Sequence, residues 1–246
     1  MQIIRRWILA FIYPRPFIGF LYLPRFISHY FRYRNIAKSE KINWLDMQPC
    51  LGDWTTHTPF DAHYFYQGAW LARRVAAASP QKHVDIGSSV LTISVLSAQV
   101  ETVFVDYRPL NTTLSGLTSM AGNILDLPFA SDSIVSLSCL HVIEHIGLGR
   151  YGDPLDPLGS VKAAQQLQRV VSAGGKLYLS LPIGRERICF NAHRVHSPQS
   201  VLALFPQMKL LEFSYVDDAG HYQENKPLIE AGQLEYGCGL FLLEKA

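Results

Sequence analysis

Downstream of residue 60, short apolar runs alternate with segments of helical period, the pattern of a parallel sheet with crossover helices. The clearest unit is Gly122 to Pro182. Ile134 to Leu140 is an apolar run that ends in the polar turn His141-Val142-Ile143-Glu144-His145. From Ser160, Val161, Ala164, Leu167, Val170 and Val171 recur at helical spacing, and Gly174-Gly175 turns into a second apolar run, Lys176 to Pro182. Upstream, Tyr64, Phe65, Gly68, Trp70, Leu71 and Val75 predict an amphipathic helix over Asp61 to Ser79, stopped by Ser79-Pro80. His83 to Ile86 predicts a strand, Val90 to Ala98 a helix, and Thr102 to Asp106 a second strand. Further on, Ser197-Pro198 opens a helix to Phe205, with proline at its first position. Leu210 to Val216 and Leu240 to Leu243 predict an antiparallel pair closing the sheet, whereas Asp217 to Gly239 predicts no element.

The chemistry of this sheet gathers at strand ends, where open α/β sheets hold ligands. Asp106 follows Gly87 by 19 residues, about the spacing at which a carboxylate on the second strand's tip accepts ribose hydroxyls. A dinucleotide needs three glycines so that backbone can approach a pyrophosphate; here only Gly87 is present, and Ser89 and Thr92 stand where the other two would be, with Ser88 between. A nucleoside cofactor without phosphates fits better. S-adenosylmethionine is one, and its amino-acid tail can use Asp85 and the Ser88 and Ser89 hydroxyls.

Composition separates an arm from a body. The apolar fraction of 48% and charged fraction of 17% indicate a folded protein, and 246 residues suit one α/β domain with an appendage. Eight of the 22 Lys/Arg but one of the 20 Asp/Glu fall in residues 1–41, so the arm is basic and the remainder acidic. Residues 1–34 also hold ten aromatics, interrupted by Pro14, Pro16 and Pro24 and by four arginines up to Arg25. No uninterrupted apolar stretch there is long enough to span a bilayer, and no signal-peptide cleavage pattern follows Ile8 to Tyr13. Aromatic bodies with arginine tips suit an anionic lipid headgroup zone or a protein partner, while the acidic body argues against nucleic acid. The expected boundaries are 1–45 for the arm and 46–246 for the domain. Cys50, Cys139, Cys189 and Cys238 form no C-x-x-C pair, which argues against a disulfide framework and fits a cytoplasmic protein.

Asn123-Ile124-Leu125-Asp126-Leu127-Pro128-Phe129, Asp132-Ser133, His141-Val142-Ile143-Glu144-His145 and Gly174-Gly175-Lys176-Leu177 together resemble class I S-adenosylmethionine-dependent methyltransferases. Residues 141–162, with the loop Gly147 to Pro157, are similar more narrowly to a methyltransferase-like bacterial family of unknown function. The resemblance implies a Rossmann-like α/β fold with a mostly parallel seven-stranded sheet, an antiparallel edge strand and, here, an N-terminal helical arm. It puts Asp85, Gly87 and Ser88 on the cofactor's methionine side, Asp106 on its ribose, Asn123 and Ile124 on its adenine, and His141 at the cofactor's edge. Two departures are Ser89 in place of a second glycine and Asn123 in place of an acid.

His141-x-x-Glu144-His145 also spells the inverted zincin motif, H-x-x-E-H. That motif needs a helix, whereas a strand precedes it here and Gly147 and Gly149 follow; no metal is expected. The loop Gly147 to Pro157 is rigid and helix-poor, with two Asp-Pro steps. Arg150 and Tyr151 on it, with Arg185, Asn191 and Arg194 after the fifth strand, are candidate acceptor contacts. His145, Asp153 and His193 are candidate bases for removing an acceptor proton, and Asp156 a turn cap. The expected function is methyl transfer from S-adenosylmethionine to a hydroxyl of a sugar, glycan or other small polar acceptor. The arm would then hold the protein at the inner membrane face. A non-catalytic scaffold docked through its arm is the alternative.

Overall fold

The computed structural model describes residues 18–37 and 39–246, with side chains from residue 21 onward. The part of the basic aromatic arm before Ile18, and Lys38, lie outside the described residues. The chain divides between Phe60 and Asp61 into two units.

In the first unit, helix α1 (Ile18–Ile36) carries Pro24 in its interior, which removes one backbone donor from the ladder. The Arg25 guanidinium lies 3.9 Å above the Trp54 ring and 4.7 Å above Tyr22. Leu21, Phe31, Ile36, Trp44 and Trp54 are exposed. Among the described residues, no helix is long and apolar enough to cross a membrane.

The second unit is a layered α/β sheet. Its strands are β1 (Lys82–Ile86), β2 (Glu101–Asp106), β3 (Leu117–Ala121), β4 (Ile134–Leu140), β5 (Val171–Ile183), β8 (Met208–Val216), the two-residue β9 (Tyr222–Gln223) and β10 (Gly237–Lys245), in the spatial order β3-β2-β1-β4-β5-β10-β8-β9. Strands β3, β2, β1, β4 and β5 pair in parallel. β10 runs antiparallel between β5 and β8, and β9 adds a short antiparallel edge beyond the seven long strands. A separate hairpin joins β6 (Arg187–Cys189) to β7 (His193–Val195).

Alternation along the strands sends side chains to two cores. Leu177, Leu179 and Leu181 of β5 face one, with Ala163, Ala164 and Leu167 of helix α4 (Gly159–Val170) and Val201 of helix α5 (Pro198–Ala203). Tyr178 faces the other, with Trp70, Leu71 and Val75 of helix α2 (Ala62–Ala78) and Ile93 and Leu96 of helix α3 (Val90–Leu96). The predicted helix boundaries coincide with real caps. Asp61 Oδ1 accepts from the Tyr64 amide and Ser197 Oγ from the Ser200 amide, each satisfying an orphan first-turn donor. Trp70 Nε1 and the Arg74 guanidinium both donate to the Glu212 carboxylate, tying α2 to β8. No helix intervenes between β2 and β3 or between β3 and β4, so the carboxyl edge there is walled by loops.

Candidate functional site

A cavity of about 360 Å³ opens at the carboxyl ends of β1, β2 and β3. Gly87 and Gly122 are among the residues that line it. Gly87 turns out of β1 with φ +66°, and a Cβ there would meet the Val142 methyls at 3.4 Å and Asp106 Oδ2 at 3.5 Å. Asp106 ends β2, where its Oδ1 accepts from the Arg108 amide at 2.7 Å and so fixes the carboxylate over the turn. After β3, Asn123 Oδ1 accepts from the Leu125 amide at 2.9 Å, which leaves the side-chain NH₂ as its free end. Ile124, Leu125, Val142 and Ile146 supply apolar wall, and Arg108, His141, His145, Tyr151 and Asp153 are among the polar residues that line it.

Asp85 and Ser88 do not line this cavity. Asp85 is fully buried, accepting from the Ser88 amide at 3.0 Å, from the Ser88 hydroxyl at 2.7 Å and from the Ser138 hydroxyl. Ser88 Oγ in turn accepts from the Leu140 amide at 3.0 Å. These residues stitch the β1 turn to β4 instead of reaching upward. Burial raises the Asp85 carboxyl to about 6, although the three hydrogen bonds oppose it. His83, two residues earlier on the same face, sits between the hydroxyls of Ser136 and Ser138 at 2.8 Å each, and burial lowers it to about 4.

A second cavity, of about 600 Å³, shares His141 and His145 with the first. Its other walls come from His63 and Tyr64 in the first turn of α2, and from Glu144, Arg150, His193 and Tyr236. His141 follows β4 with φ +54°, its amide held by the Ser180 carbonyl at 2.8 Å. Residues 143–147 after it are turns and not helix, as the glycines predict. The buried Glu144 carboxylate places Oε1 2.8 Å from His141 Nδ1 and 3.6 Å from His145 Nε2, while its Oε2 has no partner. Burial opposes the charged form of His141, yet Cys238 and Glu144 push its pKa well above the usual imidazole value. His145 Nδ1 lies 2.6 Å from the Ala192 carbonyl, which makes Nδ1 the protonated nitrogen and Nε2 the basic one. Burial lowers both His145 and His193, so each is neutral near pH 7.

Rings pack around this cluster. Those of His63 and Tyr64 stack on His141 at 5.8 and 5.5 Å, and Tyr236 lies 5.5 Å from His63 and 5.3 Å from His193. The donor atoms of His63, His141 and Cys238 all fall within 4.8 Å of one another.

The loop over the two cavities is held internally. Gly147 has φ +83°, and a Cβ there would lie 2.0 Å from the Asp156 carbonyl oxygen. Asp153 accepts from the amides of Gly147, Tyr151 and Gly149; burial raises its carboxyl, but these donors outweigh it and the pKa is lowered. Its lone pairs face the loop backbone, which removes it as a base. Asp156 caps Leu158 and pairs with Lys162. Arg194 is buried and donates to the Ile146 carbonyl at 2.7 Å and Ser160 Oγ at 3.1 Å, so it braces the loop from below. Arg185 pairs with Glu235 on the surface, and neither Arg185, Asn191 nor Arg194 lines either cavity. Tyr151 projects over the first cavity with the guanidiniums of Arg108 and Arg150 at 5.2 and 5.1 Å from its ring.

His63, Tyr64, Arg108, Tyr236 and Cys238 are site residues that pattern does not announce. The first two sit inside an ordinary amphipathic helix. Tyr236 and Cys238 belong to the stretch without a predicted element, where the cysteine flanked by Gly237 and Gly239 was the available signal.

Residues 86–235 match the family described as Caenorhabditis protein of unknown function, DUF268. No curated protein matches the chain. Among solved structures, it is similar to the 1,6-didemethyltoxoflavin-N1-methyltransferase of Burkholderia thailandensis, solved with S-adenosylhomocysteine (13% identity, TM-score 0.53, 91% of this chain and 86% of that one). It is also similar to the N-methyltransferase NodS of Bradyrhizobium japonicum with the same ligand (14%, 0.51, 74% and 86%). A third is the [4+2]-cyclase SpnF (10%, 0.52, 73% and 80%). At such identities the likeness establishes the fold, the Rossmann-like class I methyltransferase sandwich, and the cyclase among these structures shows that fold and reaction are separate matters.

Proposed function

The chain belongs to the family described as Caenorhabditis protein of unknown function, DUF268, and from that premise we propose that it is an S-adenosylmethionine-dependent methyltransferase acting on a hydroxyl of a sugar, a glycan or another small polar acceptor. The observation that carries this reading is that two cavities meet at His141 and His145, one lined by Gly87 beside the fixed Asp106 carboxylate and the other walled by His145 and His193, whose pKa values burial lowers.

The residues of the first cavity fit the cofactor. Gly87 leaves open the space that a Cβ would fill, and Asp106 offers its carboxylate to a ribose. Asn123 offers an NH₂ to a ring nitrogen, and Ile124 and Leu125 offer apolar surface to a base. S-adenosylmethionine supplies an electrophilic sulfonium methyl when bound. In the second cavity His145 Nε2 takes the proton of the acceptor hydroxyl, and the Glu144 carboxylate 3.6 Å away stabilises the imidazolium that results. The Ala192 carbonyl keeps the ring in the tautomer that this role needs. Arg150 and Tyr151 cover the junction and limit water.

Incubation with methyl-labelled S-adenosylmethionine and a panel of sugars, nucleotide sugars and lipid-linked glycans tests the reaction. Label should enter a hydroxyl-bearing acceptor, and His145→Gln should lower kcat by roughly 10²–10⁴-fold, far more than it changes cofactor affinity. Label transfer that survives His145→Gln would remove that residue as base. For the arm we propose docking on an anionic membrane surface through residues 1–41, supported by the exposed Leu21, Phe31 and Ile36 beside Arg25, Arg32 and Arg34. Sedimentation with anionic vesicles should fall when residues 1–41 are removed, and equal sedimentation would end that reading.

A further inference from the structure

Three side chains from distant parts of the sequence converge where the two cavities meet. His63 comes from the first turn of α2, His141 from the turn after β4, and Cys238 from β10, and their donor atoms lie within 4.8 Å of one another. The His141 side chain is 7% exposed, and its buried Nε2 makes no hydrogen bond of ordinary length, the Cys238 thiol being the polar group turned to it. A buried imidazole nitrogen without such a bond is costly in a protein interior. The other nitrogen explains its aim. Nδ1 is 2.8 Å from the buried Glu144 carboxylate, which fixes the ring's orientation and raises the basicity of Nε2. That carboxylate–imidazole pair is the outer support that metal-ligating histidines have.

We propose that His63, His141 and Cys238 bind a zinc ion. Two imidazoles and a thiolate are a borderline-soft donor set that suits Zn²⁺ and not the oxygen-seeking Mg²⁺ or Ca²⁺. Bonds of about 2.0–2.1 Å to nitrogen and 2.3 Å to sulfur space tetrahedral donors roughly 3.4–3.6 Å apart, so small side-chain rotations close the set. Cys238 is held on a strand packed tightly at both neighbours. A Cβ at Gly237 would meet the Val216 carbonyl at 2.5 Å, and one at Gly239 the Phe241 ring at 2.5 Å. His63 and His141 line the second cavity, so the fourth position opens toward it and takes water or an oxygen of whatever occupies that cavity. Binding takes Cys238 as the thiolate and His141 through a deprotonated Nε2, and the protons that the sulfur and that nitrogen carried are released to solvent. The inverted zincin pattern therefore contributes one ligand and one supporting carboxylate. His145 is turned to the Ala192 carbonyl instead. The inference rests on these donors and does not depend on methyl transfer.

Untagged, metal-stripped protein titrated with Co²⁺, and separately with Zn²⁺ by calorimetry, tests it. One equivalent should bind, with a thiolate-to-cobalt charge-transfer band in the near ultraviolet and visible bands of tetrahedral intensity. Cys238→Ser should abolish the charge-transfer band, while His63→Ala and Glu144→Gln should weaken binding, the latter by about 10–100-fold. Asp106→Ala should leave metal binding unchanged, which separates this site from cofactor binding. His63 is half-buried at a helix start, so His63→Ala keeps the test open if Cys238→Ser does not fold. Absence of a thiolate band in folded parent protein, or a band that survives Cys238→Ser, would overturn the proposal.

Discussion

The first cavity takes its floor from turns within a few residues of the ends of β1, β2 and β3, whereas the second gathers side chains from residues 61–64, 141–150, 192–193 and 236. In the first, backbone conformation does the shaping: a positive φ at Gly87, an Asx turn at Asn123, and a carboxylate pinned by the next amide but one. In the second, buried side chains orient one another, with Glu144 between two histidines and rings stacked on His141. A cavity shaped by local turns tolerates changes in distant elements. One assembled by tertiary convergence depends on every element that reaches it, and on the Gly147 loop above all.

That dependence can be broken most forcefully at Gly147. Gly147→Ala puts a Cβ 2.0 Å from the Asp156 carbonyl at a positive φ and should destabilise the protein by about 3 kcal/mol. Gly152, on the same loop, has φ +85° but nothing within 4 Å, so Gly152→Ala should cost only about 1 kcal/mol. Paired thermal melts read the difference, and equal losses would mean that the loop is not packed as described.

Next in size is Asp106→Ala, which removes the carboxylate proposed to accept the ribose hydroxyls. Cofactor affinity should drop roughly 10–100-fold, about 1.5–3 kcal/mol, with the second cavity intact.

The support beneath the first cavity gives a pH test. Asp85 has a folded pKa of about 6 against an ordinary value of 3.8, so the folded state binds its proton first and gains stability as pH falls from about 6 toward 4. His83 is lowered to about 4 from 6.5, so it loses stability over nearly the same range. The two oppose each other in the parent. Asp85→Asn removes the gain, and denaturant midpoints should fall more steeply between pH 6 and 4.5 in that variant than in the parent. Parallel slopes would contradict the burial assigned to Asp85. The smallest effect expected is for Arg108→Ala, which removes one cation from the Tyr151 ring and should weaken cofactor binding only about two- to fivefold.

The contrast between the cavities also explains what was legible in the sequence. Periodicity and caps gave α2, α4, α5 and the strands β1, β2, β4, β5, β8 and β10, because each carries a run of apolar residues at its own spacing. β3 is an edge strand, Leu-Thr-Ser-Met-Ala, only half-buried, and its pattern is too weak to predict. The β6–β7 hairpin is three residues a side and equally silent. Gly87, Asp106, Asn123 and Ile124 all line the first cavity, and their place at strand ends was readable because turn chemistry is local. Asp85 and Ser88 were read as ligand contacts because spacing cannot say whether a side chain at a strand's tip points up or down. Arg194 is buried and Arg185 lies outside both cavities, because loop polarity does not reveal which guanidinium braces the loop beneath. His63 and Cys238 are 175 residues apart, and only the folded sheet brings them to His141.

Calorimetric titration of S-adenosylmethionine into the folded protein, alongside Asp106→Ala, is the most direct test of a cofactor cleft at the ends of β1, β2 and β3. The expected result is one equivalent bound by the parent and markedly weaker binding by the variant. A folded parent that takes up no cofactor at millimolar concentration, or a variant that binds as tightly as the parent, would contradict it.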